Sequence, residues 1–106
     1  MGDRGSVHIK DEKVWLYTHY GASELTKTIK KALAHKQRWN DAEYLARIIF
    51  DEMTRGCCRP YTGYGISGRG PHGDELRIVT IDVENQTVKV EDNGVVEFEK
   101  GFVELI

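Results

Sequence analysis

The chain has 106 residues, 40% of them hydrophobic and 30% charged, with a formal net charge of −2. A chain of this size suits one globular domain that buries roughly 65% of its unfolded surface, enough for a core without metal or disulfide staples. No apolar run approaches the roughly 20 residues of a helical membrane span, which argues against that class. The start, Met1-Gly2-Asp3-Arg4-Gly5-Ser6, has no apolar stretch, so it does not read as a signal peptide. Its Gly-Ser pair reads as a cloning remnant. The expectation is a remnant over residues 1–6, a single domain over 7–106, and a cytoplasmic setting.

The small net charge hides an asymmetry. Residues 1–73 carry 12 Lys and Arg against 8 Asp and Glu, net +4, whereas residues 74–106 carry 3 against 9, net −6. The front of the chain is therefore the side that attracts anions, unless the difference only serves solubility. Cys57 and Cys58 are adjacent, without the spacing of a zinc hook, so they read as reduced, inert thiols.

In chain order, Val7 and Ile9 alternate with His8 and Lys10, and Asp11-Glu12-Lys13 makes a polar turn. Val14, Leu16 and Thr18 then alternate with Trp15, Tyr17 and His19. This is the pattern of a β-hairpin, broken at Gly21. Ser23 is a candidate cap for a helix over about Glu24 to Lys36, with Leu25, Ile29, Ala32 and Leu33 on one face. Asn40 followed by Glu43 resembles a capping box. Ala42, Leu45, Ala46, Ile49 and Met53 then form the stripe of a second helix, which Gly56 ends.

Residues 57–74, rich in glycine and proline, read as a long loop, and such loops in compact domains are usually functional or disordered. Leu76 to Val83 and Thr87 to Glu91 read as strands. Asp92-Asn93-Gly94 signals a tight hairpin turn, Val95 to Glu99 pairs back, and residues 102–106 read as a final edge strand. The order ββααβββ predicts an α+β domain with two helices covering one face of an antiparallel sheet.

The segment from Tyr61 to Gly70 carries rings, hydroxyls, an arginine and four glycines. Gly63 to Gly68 has the letters of a dinucleotide fingerprint, but a helix precedes it and a strand follows. A Rossmann site needs the reverse, so that reading is rejected. Free backbone N–H groups at such a segment can still form an anion nest. Tyr17 and His19 end the second strand on a shared face. His19 is either an acid–base or phosphate-binding group or a satisfied structural residue. Arg38-Trp39 offers a planar cation and a flat ring at the junction between the helices, or else Trp39 staples those helices together. Arg47 on an apolar helix calls for a partner or a pocket. No histidine or cysteine stands at metal spacing, no hydrolytic triad forms, and no cofactor is implied.

Tyr17-Thr18-His19, Arg38-Trp39-Asn40-Asp41, Tyr44-Leu45-Ala46-Arg47-Ile48-Ile49-Phe50 and Thr62-Gly63-Tyr64-Gly65-Ile66-Ser67 together resemble a family of small uncharacterised proteins found in bacteria, phages and prophages. The resemblance spans about residues 14–90. It brings no established activity, and it implies an accessory role in a mobile element, such as countering a host defence. The residue reading places an anionic, nucleotide-like small molecule in a pocket lined by Tyr17, His19, Arg38, Trp39, Arg47, Thr62, Tyr64 and Ser67. The alternative is a protein-interaction module, either an inhibitor or a homodimeric adaptor, that docks through the aromatic loop or the acidic meander. Nucleic acid fits poorly with the acidic rear half, and catalysis has no residue pair to carry it.

Overall fold

The computed structural model describes residues 4–10, 12–19, 21–55, 63–68 and 77–106. Six strands form one sheet: β1 (Gly5–Ile9), β2 (Val14–Thr18), β3 (Tyr64–Ser67), β4 (Arg77–Asp82), β5 (Thr87–Asp92) and β6 (Val95–Gly101). Their spatial order is β3-β2-β1-β4-β5-β6. Between β2 and β3 the chain makes a 3-10 turn (Ala22–Glu24), α1 (Leu25–Ala34) and α2 (Ala42–Thr54), and it closes with α3 (Phe102–Leu105). This is the expected α+β class, with an N-terminal hairpin and two helices on one face. The sheet is mixed, because β1 pairs with β2 antiparallel but with β4 parallel. A parallel pair needs a long crossover, and here both helices and β3 lie within it.

Alternation decides which side chains reach the core. Val7 and Ile9 of β1, Leu16 of β2, Val79 and Ile81 of β4 and Val88 and Val90 of β5 are all buried on the helix side. They meet Leu25, Ile29 and Leu33 of α1, Leu45, Ile49 and Met53 of α2, and Phe102. Each such side chain contributes about 1.5–3 kcal/mol when fully buried. The apolar spacing of both helices therefore maps directly onto the core.

Several boundaries differ from the sequence reading, each for a local reason. β1 begins at Gly5, which pairs with Thr18 and with Arg77. Gly5 and Ser6 are buried, so the folded unit reaches back into the supposed remnant. Ser23 lies inside the 3-10 turn, and α1 starts with no side-chain cap. The cap of α2 is Asp41, one residue beyond Asn40, and its carboxylate accepts from Tyr44 N at 3.4 Å. The supposed loop contains β3, because Tyr64 to Ser67 pair with β2 from Thr18 to Trp15. Four residues interrupted by Gly65 give too short an alternation to signal a strand. The final edge strand is instead α3, since Phe102 turns into the core and the Glu104 carboxylate accepts from Gly101 N at 3.0 Å. Asn93 and Gly94 both have positive φ, 54° and 81°, as the tight β5–β6 turn requires. Cys57, Cys58 and Gly56 lie outside the described residues.

The charge asymmetry of the sequence is also spatial. Residues 77–106 hold three cations and seven carboxylates, net −4, and they build the β4-β5-β6 half of the sheet together with α3. Within that half, Arg77 donates from Nη1 and Nη2 to the two Glu97 carboxylate oxygens, at 3.1 and 3.3 Å, as well as to Asp92 at 3.4 Å and Thr26 of α1 at 3.5 Å. A β-bulge in β6, where Val90 faces Phe98 but Glu91 faces Val96, inserts Glu97 as an extra residue. That insertion re-aims its carboxylate at the guanidinium.

Candidate functional site

Seven of the eight residues proposed from sequence are described, and they fall in four places. Tyr17, His19 and Ser67 lie toward the sheet face away from the helices. The Tyr17 hydroxyl is hydrogen-bonded to His19 Nδ1 at 3.1 Å, and Ser67 pairs across from Trp15. Tyr64 lies on the helix side, where its ring meets Phe50 edge-on at 6.4 Å. It also lines a small hollow of about 120 Å³ with Thr18, Thr28 and Met53.

Arg38 and Trp39 lie at the far end of the helix layer. Trp39 packs edge-on against Phe102 at 5.5 Å, and its indole N–H donates to the Leu33 carbonyl at 3.1 Å. It therefore staples the helix junction to α3, which packs on β5 and β6. Arg38 stands 4.3 Å over the ring of exposed Tyr44, and Arg47 is exposed on the solvent side of α2. Thr62 lies outside the described residues. Because β3 and β5 are four strand spacings apart, ~19 Å, Tyr64 and Trp39 do not share a cavity. Among the described residues, the single pocket expected from sequence is not formed. The cause is topological: β3 joins one edge of the sheet, while the helix junction covers the other half.

The face away from the helices carries a different constellation. The register aligns one residue from every strand in a single row: Ser67, Trp15, His8, Thr80, Lys89 and Glu99. His8 and Trp15 stack with ring centroids 3.9 Å apart and planes 3° from parallel. Parallel rings on neighbouring strands stand side by side, so the indole covers one face of the imidazole. On the other side His8 borders Thr80, a short side chain, and then Lys89. The gap above Thr80 is a hollow of about 290 Å³ lined by His8, Lys10, Thr80, Asp82, Thr87, Lys89 and Glu99.

Its electrostatics are mixed. The Lys10 ammonium holds Asp82 at 3.2 Å, and that of Lys89 holds Glu91 at 3.5 Å. Asp82 also accepts from the side chain and backbone N–H of Asn85, at 2.9 and 3.1 Å. These donors, with Lys10, keep its carboxyl below the usual range. Burial holds the His8 imidazole below its ordinary value, so it is neutral at pH 7. The hollow thus offers a flat neutral ring, two ammonium groups, two hydroxyls and two carboxylates. It has the parts to grip a ring, an anionic group and several hydrogen-bond donors at once.

Sequence reasoning passed over these residues because His8 has no partner at metal spacing. The available signal was the alternation of the first hairpin, which sends His8 and Lys10 to the same side as Trp15 and Tyr17. Thr80 and Lys89 join them only through the parallel β1–β4 pairing, for which no local pattern exists. Among the described residues no group of three or more His, Cys, Asp or Glu side chains is arranged to hold a metal, and no helix is long and apolar enough to cross a membrane. No family model, curated protein or solved structure matches the chain.

Proposed function

We propose that the protein binds a small anionic molecule bearing a flat ring, of nucleotide type, in the hollow bounded by His8, Thr80 and Lys89. The observation that carries this reading is the braced imidazole. The Trp15 stack fixes the orientation of His8, so its other face can receive a ring with little entropy left to lose. Lys89 and Lys10 supply charge for a phosphate or carboxylate. Thr80, Thr87, Asp82 and Glu99 supply partners for the hydroxyls and amines that such molecules carry. The volume lies near the low end for small-molecule sites, about 300 Å³, which favours a mononucleotide over a dinucleotide. Binding without turnover, within a mobile-element accessory role, is the setting proposed for it.

A thermal-shift panel of linear and cyclic nucleotides, with inorganic phosphate as control, tests the reading. A ligand present at a hundred times its Kd stabilises the fold by about 2.7 kcal/mol, a shift of several degrees. Lys89→Ala should remove the shift, and Arg38→Ala, at the distant helix junction, should keep it. No shift across the panel, or equal loss in both variants, contradicts the site.

A further inference from the structure

We propose that the free edge of β6 receives an extended, basic segment of another protein as a seventh strand, in preference to a second copy of this chain. Among the described strands β6 ends the sheet, and five of its seven residues are exposed. Val95 and Val96 are 68% and 50% exposed, and Val103 and Ile106 just beyond the strand are 72% and 36% exposed. An edge with apolar side chains and unpaired backbone groups is a template for strand addition.

The charges choose the occupant. A second copy would pair antiparallel about a two-fold axis. An axis through Glu99 sets Glu99 against itself, and one through Lys100 sets Lys100 against itself. Registers centred on Glu99 or Lys100 thus place like charges directly opposite, which destabilises a strand pair. A partner strand with Lys or Arg facing Glu99 meets complementary charge instead. The surrounding half of the sheet, net −4 over residues 77–106, draws the same partner in from a distance.

The test titrates the isotopically labelled full chain with a synthetic seven-residue peptide of alternating lysine and valine. The matching glutamate–valine peptide is the control. Saturable amide shifts confined to β6 and α3 are expected from the basic peptide, with none from the acidic one. Glu99→Lys should weaken binding about fivefold or more. Glu43→Lys, the same change in net charge placed on α2, should weaken it less than twofold. Spectra of both variants establish that the fold is kept. Absence of saturable shifts, shifts centred on α1, or equal loss in the two variants would each overturn the proposal. So would a dimer in sedimentation that Val96→Lys dissociates.

Discussion

The imidazole of His8 lies flat on the indole of Trp15, 3.9 Å between ring centroids and 3° from parallel. This contact links the sheet's first hairpin to the hollow beside it. Burial holds the His8 pKa below its unfolded value, so the unfolded chain takes up the proton first as pH falls. The stabilising contribution of the neutral ring is therefore complete above the ordinary histidine value, about 6.5. It is lost progressively as pH drops through the lower folded value. Denaturant unfolding between pH 7.5 and 5 should show this decline, and His8→Gln should flatten it. Trp15→Ala should cost about 2 kcal/mol, combining the stack with lost apolar burial.

A second acid-sensitive contact clasps the two long helices. Glu52 Oε1 lies 2.9 Å from His35 Nε2 and 3.4 Å from the Arg55 guanidinium. The His35 hydrogen bond, helped by the charge of Arg55, lowers the Glu52 pKa. A depressed carboxylate stabilises above its unfolded pKa, and that stability is lost as pH falls through the folded value. Asp82 follows the same sign. Glu52→Gln should therefore destabilise at pH 7 and have little effect near pH 2. A double-mutant cycle with His35→Ala would isolate the pair.

Gly5 is expected to tolerate no side chain. A Cβ there would lie 2.9 Å from the Ala22 Cβ, the Arg77 carbonyl oxygen and Leu25 Cδ1. Two of these three atoms belong to a backbone or a short rigid side chain. Gly5→Ala should cost about 1–3 kcal/mol in thermal unfolding, the usual range for overpacking. An unaffected melting temperature would mean that the chain before Val7 is an appendage after all.

The linker between the helices stores strain that can be relieved. Lys36 and Arg38 have φ of 54° and 59°, a region costly for residues with a Cβ. Lys36 follows the end of α1, where glycine is the common residue, and its side chain is exposed. Lys36→Gly should stabilise by about 1 kcal/mol. Arg38→Gly should gain less, because it also removes the cation–π contact with Tyr44.

What was legible in the sequence followed from local periodicity. The helix stripes of Leu25, Ile29, Leu33 and of Leu45, Ile49, Met53 became core, and the Asn93-Gly94 turn formed as its chemistry demands. Short or non-local features were hidden. Tyr64 to Ser67 are too few to declare a strand, and Phe102 leaves the β pattern because burying its ring outweighs continuing an edge. The candidate site was the least legible part, since the row from Trp15 to Lys89 exists only once β1 and β4 run side by side. Of the two readings of Trp39, ligand platform or staple at the helix junction, its contacts favour the staple, since its N–H is taken by the Leu33 carbonyl and its ring by Phe102.

The most direct test of the ligand site is the ring ¹H–¹⁵N spectrum of His8 during titration with the nucleotide that gives the largest thermal shift. Stacking on the imidazole should move the His8 resonances together with those of Thr80 and Lys89, at one shared Kd, and leave His35 unchanged. If the ligand binds while His8 stays still, or moves His35 instead, the hollow on the sheet is not its site.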